Sequence, residues 1–226
     1  MTRPAYRTLL DGFATAILAA TFALAGCGAP PVLGEVELFE EANREFEREQ
    51  FSLSSQHYEE LLEQHPFSDL AEIARLRIAH SYYLNGEFEK AVAAFGDFER
   101  LHPASPLMGF VEYTVGMSYL DQIGPADRDK SSAVNAIRQF ERVRDRYQGT
   151  LYGRLAAFRI SECLEILASH ELVIGDYYRR VGKTAASMRR YTYLVEQYPD
   201  TDAAVLGRRR LADTGTLGEI LDKVTP

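Results

Sequence analysis

Tryptophan is absent from these 226 residues, and only two cysteines occur, Cys27 and Cys163. One follows an apolar leader and the other lies within a helical pattern, so no disulfide framework is indicated. No alternation of apolar and polar residues marks a strand. The amino-terminal apolar run, Phe13 to Leu24 (FATAILAATFAL), rises only about 18 Å as a helix, too short for a hydrocarbon core of about 30 Å. Basic residues are outnumbered, 25 Lys and Arg against 33 Asp and Glu, and the net charge of −8 argues against a nucleic-acid partner. The 46% hydrophobic and 26% charged residues exclude wholesale disorder.

Signs of catalysis are equally scarce. The five histidines, His57, His65, His80, His102 and His170, form no metal-spaced pair with each other or with cysteine. His65 and His102 each stand just before a proline, where a helix end with its negative dipole accounts for them. Gly182-Lys183-Thr184 looks like the close of a phosphate loop, but Tyr177 stands where that loop needs glycine and the context is helical. Cys163 reads as a small core residue. Pairs such as Glu59-Glu60 belong to solvated helix faces. No catalytic constellation, metal or cofactor is expected, and the chain reads as a non-enzyme.

What is present begins with an address. Arg3 and Arg7 precede the apolar run, although Asp11 is unusual there. Leu24-Ala25-Gly26-Cys27 resembles the bacterial lipobox, in which small residues admit the chain to the signal peptidase and the thiol accepts diacylglycerol. That resemblance predicts a signal peptide over residues 1–26, lipidation at Cys27, a tether over 27–34 stiffened by Pro30 and Pro31, and a folded domain over 35–226. Removing residues 1–26 takes two arginines and one aspartate with it, moving the charge from −8 to −9. Gly28, where aspartate would favour inner-membrane retention, leans toward the outer membrane.

The body repeats. Ala79 and Tyr82, then Ala91, Phe95 and Pro103, form one series. Gly116 and Tyr119, then Ala136, Phe140 and Gln148, form the next, spaced out by an insertion. Gly175 and Tyr178, then Ser187, Tyr191 and Pro199, form another. Ala42 and Glu45, then Ser54, Tyr58 and Pro66, give the weakest. A small residue lets two helices approach, an aromatic covers the contact, and proline closes the second helix. The series resembles the tetratricopeptide repeat. The expected fold is all-α, a right-handed solenoid of about five tetratricopeptide-like helix pairs. Leu151 to Val181 reads as one long helix, and residues 202–213 and 217–224 as a short final pair that caps the solenoid.

In such repeats the first helices line a peptide-binding groove. Their register predicts Val36, Phe39, Asn43 and Phe46, then Ile73, Leu76, His80 and Tyr83, then Phe110, Tyr113, Met117 and Leu120. The set is mostly apolar and aromatic, which fits either a site for a partner with hydrophobic side chains or plain interior packing. Asp127-Arg128-Asp129 lies in the insertion. It reads equally as a solvated loop, with Asp129 as a helix cap, or as a charged contact loop.

Taken together, His65-Pro66-Phe67-Ser68, Ala79-His80-Ser81-Tyr82-Tyr83, Gly116-Met117-Ser118-Tyr119-Leu120, Asp127-Arg128-Asp129, the block from Leu167 to Tyr178, Arg190 and Tyr198-Pro199-Asp200-Thr201 resemble the BamD family of outer-membrane assembly lipoproteins. The resemblance runs from the lipobox to about Asp213. It implies a lipid-anchored protein on the periplasmic face of the outer membrane, working in the β-barrel assembly machinery. The implied partners are BamA-like POTRA domains, other lipoproteins of the machinery, and unfolded outer-membrane β-barrel proteins. Arg190 and the Asp127-Arg128-Asp129 loop would contact the barrel-forming subunit. Phe39, Phe46, Pro66, Phe67, Ile73, Leu76, His80, Phe110, Tyr83 and Tyr113 would form the client groove. The competing expectation is another periplasmic repeat lipoprotein, such as a secretin pilot or an envelope-division scaffold.

Overall fold

The structure is a computed structural model that describes residues 34–124 and 130–224, with side chains as far as Asp213. Cys27, the lipobox, the tether to Leu33 and the Asp127-Arg128-Asp129 loop lie outside the described residues. The described chain is helical throughout, with no strand. Its elements are α1 (Glu35–Glu47), α2 (Phe51–Gln64), α3 (Ala71–Leu84), α4 (Phe88–Leu101), α5 (Met108–Asp121), α6 (Ser131–Arg146), α7 (Leu151–Arg180), α8 (Thr184–Gln197) and α9 (Asp202–Val224). Short connections make neighbours antiparallel. Each helix packs against the next in chain order, giving a solenoid of tetratricopeptide-like pairs.

Turn chemistry recurs within the pairs. Gln50, Glu87 and Lys183 each donate their N–H five residues back, to Glu45, Tyr82 and Tyr178, all at 2.9 Å. This closes the preceding helix in a Schellman-type turn, whose penultimate residue must be left-handed. Gly86 and Gly182 supply that conformation at φ 76° and 75°. Glu49 supplies it at φ 61° without the freedom of glycine. Between pairs, His65, His102, Tyr147 and Tyr198 cap α2, α4, α6 and α8, donating to the carbonyls of Leu61, Phe98, Val143 and Leu194. Gly182-Lys183-Thr184 is thus a repeat turn.

The small-against-aromatic device is visible in the packing. A Cβ on Gly116 would lie 2.5 Å from the Phe140 ring, and one on Gly175 would lie 2.5 Å from the Tyr191 ring. Where the aromatic is tyrosine, the residue after the small one takes its hydroxyl. Tyr58 donates to Asn43 at 2.7 Å and Tyr191 to Asp176 at 2.6 Å, both spanning fifteen residues. Where it is phenylalanine, His80 or Met117 stands there instead. The core is strung along the chain in clusters, one holding Leu76, Phe95, Phe98 and Val111, the next Phe140, Val143, Ile160 and Cys163.

The long helix is continuous from Leu151 to Arg180. The final pair is a correction: α9 runs unbroken from Asp202 to Val224, so four pairs are followed by one closing helix. No proline interrupts residues 202–224, and the glycines there cost a helix only about 1 kcal/mol each. The first turn of α9 is capped from a distance. Glu165 on α7 accepts the N–H groups of Asp202 and Ala203 at 2.8 and 3.0 Å, satisfying donors that a helix start otherwise leaves open.

Candidate functional site

The first helices of successive pairs bring aromatic side chains into one line. Phe46 on α1 lies 5.5 Å from His80 on α3, and His80 lies 5.2 Å from Phe110 on α5. Tyr113, one turn along α5, lies 5.9 Å from Tyr152 on α7. All five rings are half-buried. Edge and tilted contacts at these separations are favourable for rings and hold the line without a hydrogen-bond ladder. Burial, and then the nearby Arg77 charge, push the His80 pKa below its ordinary value, so the imidazole is neutral at pH 7 and behaves as an aromatic rung.

Polar groups pin this line. Tyr83 donates to Asp121 at 2.7 Å, tying α3 to the end of α5. Arg159 on α7 donates to the Tyr113 hydroxyl at 3.2 Å and to Glu162 at 2.6 Å. At the α1 end the Arg77 guanidinium sits 4.6 Å over the Phe46 ring, a cation–π contact. Beside it lies an open hollow of about 480 Å³ walled by Asn43, Phe46, Phe51, Arg77 and Leu84. A larger hollow of about 820 Å³ opens beyond Met117, walled by Leu120, Lys130, Arg159, Ile166 and His170.

Two carboxylates are fully buried among the described residues. Glu171 on α7 is fully buried, hydrogen-bonded to Lys130 at the start of α6 and to Arg190 on α8 at 3.0 Å. Burial alone would raise its carboxyl, but the bonds and charges of Lys130 and Arg190 together prevail and hold it below the usual carboxylate range. Glu112 on α5 is also fully buried and accepts from Arg146 at 2.6 Å and the Tyr147 hydroxyl at 3.0 Å. Each carboxylate joins elements distant in sequence through charge-assisted bonds.

Among the predicted groove residues, Phe46, His80, Tyr83, Phe110 and Tyr113 come together on the aromatic line. Phe39 stacks edge-on against Tyr58 at 5.7 Å, nearer the start of α1. Ile73 packs against the core cluster that contains Leu76. Leu76 and Leu120 are buried and pack between helices, as the interior reading has it, with Leu120 showing only its margin to the hollow beyond Met117. Pro66 and Phe67 stand exposed in the α2–α3 connection, off the aromatic line, because that turn projects beyond the helix ends. Arg190 is half-exposed and pairs with buried Glu171 through one Nη rather than a two-pronged fork. Asp127, Arg128 and Asp129 lie outside the described residues, and Lys130 occupies the cap position of α6.

Glu112 and Glu171 escaped the sequence reading, which put carboxylates on solvated faces. The signal was there. Glu171 falls four residues after Leu167 and four before Gly175, and Glu112 falls four after Met108 and four before Gly116, each on a buried stripe. A carboxylate on such a stripe needs a cation partner.

Comparison with known proteins adds family evidence. The family model YfiO, described as outer membrane lipoprotein, matches residues 33–212. Three similar proteins each carry the name outer membrane protein assembly factor BamD. One from Caulobacter vibrioides is 26% identical over 145 residues, covering 64% of this chain and 48% of that protein. One from Neisseria meningitidis serogroup B is 27% identical over 175 residues, covering 73% and 66%. One from Vibrio cholerae serotype O1 is 28% identical over 195 residues, covering 80% and 81%. The chain therefore spans about half the length of the Caulobacter relative and about two-thirds of the Neisseria relative.

Proposed function

Because the chain belongs to the YfiO outer-membrane lipoprotein family, we propose that it serves as an assembly factor for outer-membrane β-barrel proteins, acting by binding and not by catalysis. In this reading Cys27 carries the lipid that holds the protein on the periplasmic face of the outer membrane. The aromatic line from Phe46 through His80 to Tyr113 receives aromatic-rich segments of unfolded barrel proteins. The carboxy-terminal repeats around Arg190, with the Asp127-Arg128-Asp129 loop, meet POTRA domains of a BamA-like barrel-forming subunit, alongside other lipoproteins of the machinery.

The observation that most supports the client side is the aromatic line itself. Five half-buried rings from four first helices keep an edge or face open to solvent, a surface suited to hydrophobic side chains. On the other side, the Lys130–Glu171–Arg190 cluster leaves Arg190 half-exposed and oriented. A carboxylate on a partner can reach its remaining N–H groups.

The test is affinity capture of the tagged, processed protein from detergent-solubilised envelopes. Recovery of a POTRA-bearing barrel protein is expected, and Arg190→Glu is expected to weaken that recovery without unfolding the chain. Capture of a secretin in place of a POTRA protein would replace this reading with that of a pilot. For the client side, a peptide with the aromatic carboxy-terminal sequence of a barrel protein is titrated against the wild type and Phe110→Ala. Equal affinity would remove the aromatic line from the proposal.

A further inference from the structure

Phe67 does no work in the fold. It is 98% exposed, and among the described residues no ring or cation packs against it. The same turn forms elsewhere without an aromatic. Ser68, Ser105 and Thr201 each donate their N–H three residues back, to His65, His102 and Tyr198, at 3.1, 3.0 and 3.2 Å. The position of Phe67 is taken by Ala104 in the second of these turns and by Asp200 in the third. A bare phenylalanine where the repeat accepts alanine or aspartate is fully available to a surface outside the chain.

Its place in the solenoid says which. Antiparallel packing puts the start of α1, the α2–α3 connection and the α4–α5 connection at one edge. The turns of the opposite edge, 48–50, 85–87 and 181–183, hold no aromatic residue. The helix ends of the first edge also carry exposed Val36, Leu101 and Leu107. The start of α1 is also where the chain leaves toward Cys27. Seven residues, 28–34, separate the two, a covalent reach of at most about 25 Å. The α2–α3 connection lies about two helix diameters from that point, at about 10 Å each. A lipid on Cys27 therefore keeps this edge within reach of the membrane surface.

We infer that the α2–α3 edge rests on the membrane, with Phe67 as an apolar knob in the headgroup–acyl boundary. The inference rests on lipidation at Cys27. The contact is apolar in kind: with a net charge of −9 once residues 1–26 are removed, anionic headgroups do not draw the chain down. One knob binds membranes marginally, but a chain already anchored supplies it at high local concentration. The second contact then sets orientation, holding the helix axes steeply to the surface.

The absence of tryptophan makes a direct test available. Phe67→Trp and Val181→Trp each place a single indole, one at this edge and one at the opposite edge. The full, lipidated protein is reconstituted into phosphatidylcholine vesicles whose acyl chains carry bromine, a contact quencher. Expected is co-flotation of both variants, with blue-shifted and at least twofold quenched emission for Phe67→Trp alone. Failure to co-float would remove the lipid anchor and the inference with it. Co-flotation with Phe67→Trp unquenched, or quenched no more than Val181→Trp, would overturn the inference and leave the anchor standing. Emission that shifts only when POTRA domains are added would overturn it too, assigning Phe67 to a protein partner.

Discussion

Replacing Gly116 by alanine tests the small-against-aromatic packing directly. The added Cβ would meet Cε1, Cδ1 and Cζ of Phe140 at 2.5, 2.7 and 2.9 Å, where ordinary contact begins near 3.4 Å. Phe140 cannot swing aside, since it is fully buried with Tyr113 at 5.6 Å. The two helices must part by almost 1 Å, and overpacking of this kind costs about 1–3 kcal/mol. Alanine returns about 1 kcal/mol through helix propensity. The net is destabilisation by about 1 kcal/mol, up to about 2. Gly96 on α4 is the control. Nothing lies within 4 Å of its added Cβ, so Gly96→Ala keeps the propensity gain and stabilises by about 1 kcal/mol. In a domain of this size each kcal/mol moves Tm by about 2–4 °C. Thermal unfolding followed by far-UV circular dichroism is therefore expected to shift in opposite directions for the two variants. Phe140→Leu in the Gly116→Ala background is expected to cost less than Phe140→Leu alone, because the clash and the ring disappear together. A Gly116→Ala protein that gains stability as Gly96→Ala does would refute this account of the repeat.

Other outcomes follow from the polar contacts and turns. Glu171 titrates below its ordinary value, so its charge stabilises the fold above the unfolded pKa near 4.5, and that contribution is lost as pH falls through the folded value. Glu171→Gln is expected to cost about 1–3 kcal/mol at pH 7 by urea denaturation and to show a shallower acid-side decline than wild type. Tyr58→Phe and Tyr191→Phe each lose a hydrogen bond and are expected to lower the urea midpoint by the equivalent of about 1 kcal/mol. Glu49→Gly relieves a left-handed backbone at φ 61° and is expected to raise stability by about 1 kcal/mol, whereas Gly86→Ala is expected to lower it by a similar amount. The Cys163 thiol is fully buried and pushed up to about 12 chiefly by that burial. It is expected to resist a thiol-reactive dye at pH 8 until the chain is denatured, and rapid labelling of folded protein would contradict its placement.

Most of the architecture was legible because it rests on short-range regularities. The alanine or glycine paired with an aromatic, the proline-ended helices and the uninterrupted stretch from Leu151 to Arg180 all lie within single helices or neighbouring ones. The closing helix was misread because the glycines between Asp213 and Glu219 look like a break, while helix continuation there needs only the absence of proline. That Phe46, His80, Phe110 and Tyr113 share one face was legible from helix register, but register alone does not separate Phe110 from Leu76. That distinction depends on how far the adjacent pair overlaps each position. The carboxylate clusters were hardest. Lys130 and Glu171 are 41 residues apart, and Arg146 and Glu112 are 34 apart, distances over which periodicity carries no pairing information.

The undivided α7 has a mechanical consequence. Thirty residues of helix extend about 45 Å. Its first half closes against α6, and its second half against α8 and α9. The third and fourth pairs thus share one tie-beam: across the turn at 147–150, α7 closes against α6 and then continues unbroken to α8 and α9. On that beam Glu171 links Arg190 of α8 to Lys130 at the start of α6, so a load applied at Arg190 has a direct polar path to α6. On the amino-terminal side no helix exceeds fourteen residues, and there the aromatic line is what crosses from one pair to the next.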